Sequence, residues 1–144
     1  MKAMLFRYLS LSAVCFALLS SCAKKAEVTQ GRYTITYNPS DESKSQAEAL
    51  LAFLEQSRSN LTHAELFKVD SGYSITLEGN FGAEVSHERA KSITTRMAER
   101  FSRTHLNGAY VKMTVMSLIK GKRGIAVQGE SNDSAIVKAT PIAM

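Results

Sequence analysis

The chain has 144 residues and two cysteines, is 44% hydrophobic and 22% charged, and carries a formal net charge of +5. That length suits one domain with a real core but hardly two. The sequence shows no internal repeat, no low-complexity tract and no second domain boundary.

The first segment opens with Lys2 and Arg7 and continues as an uncharged run from Tyr8 to Leu19. A membrane-crossing helix needs roughly twenty apolar residues, so this run is short for a permanent span. Basic residues before a short apolar core, with small residues behind it, form the pattern of an export signal. The hydrophobicity runs all round the segment instead of along one face, which argues against a buried amphipathic helix.

The run ends Leu19-Ser20-Ser21-Cys22. An aliphatic residue, two small residues and a cysteine, placed directly after such a signal, resemble the lipobox of bacterial lipoproteins. The resemblance covers the first 22 residues. It implies a cleaved signal peptide over 1–21, a diacylglyceryl thioether on Cys22 and acylation of the freed amine, commonly by palmitate. It also implies an address. With Ala23 instead of Asp after the lipidated cysteine, the expected location in a two-membrane cell is the outer membrane, facing the periplasm. Cys15 leaves with the signal, so the mature chain keeps no free thiol and no disulfide partner.

Processing leaves about 120 residues and a net charge of +3. Residues 24–80 hold six basic and eight acidic side chains, net −2, whereas residues 81–144 hold ten and five, net +5. Ala23 to Gln30 reads as polar and aperiodic, so residues 22–31 are expected to be the lipidated N-terminus and a linker. The domain is then expected over 32–144. Tyr33, Ile35 and Tyr37 alternate with threonines as a strand. Ser40 caps a helix over about 41–59, with Ala47, Leu50, Leu51, Leu54 and Leu61 at helical spacing. A hairpin follows, 66–69 with 73–77, around Asp70-Ser71-Gly72. A three-residue loop pairs Val69 with Tyr73 and Phe67 with Ile75, whereas a two-residue Ser-Gly turn sets Lys68 against Ile75. The first is preferred because it keeps apolar residues together. A second helix spans 84–105, its apolar stripe being Ala90, Ile93, Met97 and Phe101, and it stops at Asn107-Gly108. Strands are expected over 109–119, 124–129 and 134–140.

The order predicts an α+β fold: a single ferredoxin-like β-α-β-β-α-β domain with an added C-terminal hairpin, its two helices on one face of an antiparallel sheet. Fold alone does not assign function. His63, His87 and His105 have no metal-ligand spacing, and no nucleophile, phosphate-loop or dinucleotide motif occurs. No enzyme, metal, cofactor or small-molecule substrate is therefore expected. On the second helix Arg89, Arg96, Arg100 and Arg103 fall within a sector of roughly 60° that flanks the apolar stripe. With Lys120, Lys122 and Arg123 they form a candidate docking surface for phosphate or carboxylate. Its alternative is an ordinary solvated face. An exported lipoprotein meets no nucleic acid. Two readings remain: a tethered interaction module with an envelope protein partner, or a binding protein for an anionic envelope ligand such as a lipid headgroup or lipopolysaccharide phosphate. An exposed flat face or unpaired edge strand would favour the first, and an apolar pocket with convergent polar groups the second.

Overall fold

The computed structural model of the chain describes residues 24–79, 85–119 and 122–132. Its elements are β1 (Ala26–Gln30), β2 (Tyr33–Tyr37), α1 (Asp41–Gln56), β3 (Leu61–Val69), β4 (Gly72–Gly79), α2 (His87–His105), β5 (Tyr110–Ile119) and β6 (Lys122–Glu130). Cys22, Lys120 and the expected strand 134–140 lie outside the described residues.

Both helices start at serine caps. The Ser40 hydroxyl accepts from the Ser43 amide at 3.1 Å, and the Ser86 hydroxyl from the Arg89 amide at 3.3 Å, each satisfying a first-turn donor. α1 stops at Gln56, short of the expected 59, and Leu61 opens β3 instead of extending the helix. α2 ends in left-handed Asn107 and Gly108, with the Gly108 amide donating to the Ser102 carbonyl.

The six strands lie in the order β1-β2-β3-β4-β5-β6. β2 pairs parallel with β3 and β4 parallel with β5, while the other three pairings are antiparallel. The sheet is thus mixed, and the ferredoxin-like expectation is wrong. That fold would insert β4 between β2 and β3 and place β5 outside β2. Here β2 bonds β3 directly, and the place outside β2 is taken by β1.

β1 was expected to be linker. Its Ala26 and Val28 pack against the core, and a two-residue Gly31-Arg32 loop, with Gly31 at φ +58°, returns the chain into β2. Positive φ at the first loop residue suits a tight hairpin turn, and glycine adopts it without strain.

One face of the sheet carries Ile35, Ala64, Leu66, Ile75, Leu77, Val111, Met113 and Val115, all buried. Ala47, Leu50, Leu54, Ala98 and Phe101 of the two helices join them in one core, and the Phe53 and Phe101 rings meet at 5.4 Å between the helices. Both helices therefore cover the same face. Each crossover also steps the same way across the sheet, although β4 runs antiparallel to β3. One of the two crossovers is necessarily left-handed, against the strong right-handed preference of such units.

The hairpin register differs from both alternatives. Asp70-Ser71 form the loop, pairing Val69 with Gly72, Lys68 with Tyr73 and Leu66 with Ile75. Leu66 faces the core, and Phe67 turns to the opposite side. The stripe on α2 is also rotated. Its buried residues are Ala90, Thr94, Thr95, Ala98, Phe101 and Ser102, with Ile93 and Met97 half-buried at the rim. The cause is close approach to β6: a Cβ on Gly129 would come within 2.4 Å of the Thr95 amide nitrogen. Only small residues fit there. The Thr94 hydroxyl is satisfied by the Ala90 carbonyl at 2.9 Å.

Candidate functional site

The rotation of α2 moves the arginines. At 100° per residue, the helix positions of Arg89, Arg96, Arg100 and Arg103 centre roughly 180° from the buried set, although the long side chains of Arg96 and Arg100 reach back toward it. Arg89, Arg100 and Arg103 are exposed and Arg96 is half-buried. Arg103 pairs with Glu99 one turn back, and the Arg100 guanidinium lies 6.0 Å from the Phe53 ring. Arg96 differs from the rest. Its Nε and Nη2 atoms have neither solvent contact nor a hydrogen-bond partner. Those two nitrogens form the side of the guanidinium that grips a carboxylate or phosphate bidentately, and leaving them unpaired is costly.

Lys122 and Arg123 begin β6. The pairing of Ile119 with Lys122 lies at the same end of the sheet as Leu61 and Gly79, where α2 starts at His87. Arg89 shares that end, whereas Arg103 lies a helix length away. Arg89 and Arg103 thus sit at opposite ends of α2 and do not converge on one point.

The opposite face of the sheet is the feature that sequence reasoning missed. Among the described residues no element covers it. The strand registers align Glu27, Thr36, Glu65, Thr76, Thr114 and Gln128 in one polar row across all six strands. A second row holds Thr29, Thr34, His63, Glu78, Met116 and Ala126. Thr36 is buried, its hydroxyl donating to Glu27 at 3.4 Å, and the Thr29 and Thr34 hydroxyls meet at 3.3 Å. Lys25 reaches Glu65 at 3.4 Å and lies 5.2 Å from the Phe67 ring. The period-two alternation of Thr34/Thr36 and of Ser74/Thr76 marks the strands. What it withholds is that every strand presents its polar side to the same uncovered face.

The titratable groups form local pairs. Lys68 donates to Glu42 at 2.9 Å and the Tyr73 hydroxyl donates to it at 3.0 Å. Those bonds hold the Glu42 carboxyl below the usual glutamate range, and the same contact raises Lys68. Burial pushes the Tyr73 phenol up. Burial also raises Tyr110, reinforced by Glu130. His63 lies on the uncovered face, His87 opens α2, and His105 packs its ring 5.2 Å from Phe101. Among the described residues no group of His, Cys, Asp and Glu could hold a metal ion, and no helix is long and apolar enough to cross a membrane.

Two shallow grooves flank the helices. One lies between α1 and β1, lined by residues that include Glu27, Lys44 and Glu48, and the other between α2 and β6, lined by His87, Lys91 and Gln128 among others. Both are open to solvent, and neither places a nucleophile beside a base. No protein-family model, curated protein or solved structure matches the chain.

Proposed function

We propose that this protein is a lipid-tethered, non-catalytic interaction module of a bacterial cell envelope, and that it receives a protein partner on the uncovered face of its sheet. The observation that supports docking is the face itself. A six-stranded sheet with helices on one side leaves a flat, mainly polar surface of hydroxyls, carboxylates and an amide, with His63, Phe67 and Met116 among them. Among the described residues it is bounded by the edge strands β1 and β6. Flat polar surfaces and free edges suit protein recognition better than enclosure of a small molecule.

Tethering follows from the lipobox. The Cys22 thiolate displaces the phosphate headgroup of a phospholipid and keeps the diacylglyceryl group as a thioether. Water then hydrolyses the Ser21–Cys22 amide, freeing the amine for a further acyl chain. Two or three chains give stable attachment where one does not. Ala23 directs the protein to the outer membrane, facing the periplasm, in a two-membrane cell. The test uses the lipidated chain. Thr76→Arg with Thr114→Arg is expected to remove co-purification of the envelope partner from solubilised membranes, while melting and membrane fractionation stay unchanged. Undiminished co-purification would contradict docking on this face.

One observation favours a second reading, an anionic ligand held by α2. Arg96 offers a desolvated bidentate edge with nothing on it. If that edge grips phosphate or carboxylate, Arg96→Gln abolishes binding of lipopolysaccharide phosphate in a direct titration, and Arg89→Gln leaves it intact. Equal, small effects at both positions would return the arginines to a solvated helix face.

A further inference from the structure

We infer that the domain stands on its own membrane through the end of the sheet where β1 begins, pressing the β3–β4 turn toward the headgroups and holding the end where β3 and β6 begin away from them. The inference rests on lipid attachment at Cys22 and adds the direction in which that lipid holds the fold.

The argument begins with tether length. Residues 22–31 were expected to be the lipidated N-terminus and a linker, but Ala26 is already bonded into the sheet opposite Tyr37. Four Cα steps separate it from Cys22, at most about 14 Å even when fully extended. The strand registers place Ala26, Tyr37, Val69, Gly72, Tyr110 and Glu130 at one end of the sheet. Ten-residue β5 carries the chain from that end to Ile119, a distance of about 30 Å at roughly 3.3 Å per residue. A 14 Å leash from one corner cannot bring the far end to the surface without laying the domain on its side.

Surface chemistry decides between standing and lying. The flank reachable from the same corner, along β1 and α1, presents Glu27, Glu48 and Glu55 against Lys44, all exposed. That acidic side is repelled by an anionic leaflet. At the end, exposed Lys24, Lys25 and Lys68 outnumber exposed Glu42 and Asp70, although Lys25 pairs with Glu65 and Lys68 with Glu42. The turn also carries Val69, which at 39% exposure is the exposed large hydrophobic side chain among the described residues. Lysines suit headgroup phosphates, and an apolar residue at a turn tip suits the interface beneath them. The partner of this surface is thus the host lipid itself. The far end, with Arg58, Asn60, Arg89 and the start of β6, is presented to whatever lies beyond the membrane surface.

The test exploits the absence of any other thiol after processing, since Cys15 belongs to the signal segment and Cys22 carries lipid. Ser71→Cys at the near turn, Asn60→Cys at the far end and Glu48→Cys on the flank are each labelled with a small fluorophore. The lipidated chains are reconstituted in phosphatidylethanolamine–phosphatidylglycerol vesicles containing headgroup-nitroxide lipid. Quenching at Ser71→Cys is expected to exceed that at the other two sites several-fold. Greater quenching at Glu48→Cys or Asn60→Cys, or equal quenching at all three, overturns the orientation while leaving lipid attachment standing. A chain that fails to float with the vesicles overturns lipid attachment and the orientation with it.

Discussion

The two faces of the sheet are built from the same strands by the same alternation, yet among the described residues only one of them is covered. On the covered side Ile35, Ala64, Ile75, Leu77, Val111, Met113 and Val115 are fully buried beneath two helices. On the other side Thr34, Glu65, Thr76 and Thr114 remain half-exposed. Apolar burial, at about 25 cal/mol per Å², is concentrated in the first set. The difference teaches that the side chains that hold the domain together and those that the proposed docking would use are separated by the thickness of one sheet. Residues adjacent in sequence are therefore expected to have unrelated consequences when changed.

The largest expected effect tests the covered side. Leu54 and Phe101 are both fully buried, so Leu54→Ala or Phe101→Ala is expected to destabilise the domain by about 2–5 kcal/mol. Denaturant unfolding of a lipid-free form measures this directly, and near-zero losses for both would mean the helices do not pack as described.

An intermediate effect concerns the sheet end. Glu42 is held low by Lys68 and Tyr73, so its contribution to stability is present above the ordinary glutamate pKa. It is lost as pH falls through the lowered folded value. Lys68 is raised, so the same pair also weakens in alkali as pH climbs through the folded lysine value. Glu42 and Lys68 are both exposed, and the contribution is small. Melting temperatures of the native chain and Glu42→Gln are expected to differ near neutrality and to converge in acid. A constant difference down to strong acid would contradict the pairing.

The smallest expected effect sharpens the contrast. Thr76→Ala and Thr114→Ala remove side chains from the uncovered face, and each is expected to change stability by no more than about 0.5 kcal/mol. A loss comparable with that of Leu54→Ala would show that this face is itself packed against something.

Much of the local structure was legible. Ser40 and Asn107-Gly108 mark helix ends through backbone groups that must be satisfied nearby, and alternation exposes β2 and β4. The second helix, however, starts at His87 behind the Ser86 cap instead of at the expected 84. The arrangement of strands was less legible, because it turned on short signals. β1 offers only Ala26 and Val28 as inward residues, and the informative residue was Gly31, whose positive φ closes the hairpin that occupies the edge beside β2. The register around Asp70-Ser71 was misjudged because Phe67 looks like a core residue. It instead lies on the uncovered side, beneath the Lys25 ammonium. On α2 the largest apolar residues pointed to Ile93 and Met97, whereas contact with Gly129 demands the small Thr95. That requirement comes from another strand and is invisible along the helix. For the candidate site, the arginine spacing was readable, but its position relative to the core followed the misplaced stripe. Cys22, expected from the lipobox resemblance to carry lipid, lies outside the described residues.

The most direct measurement is a comparison of the two sides in the native envelope. A photoreactive residue at Thr76 or Thr114 on the uncovered face, or at Ala52 or Arg100 on the helix side, is irradiated in intact cells carrying the lipidated chain. Adducts of one common mass at Thr76 and Thr114, absent at Ala52 and Arg100 and lost in Thr76→Arg, are expected. Adducts confined to the helix side, with the uncovered face unreacted, would contradict the docking role of the sheet.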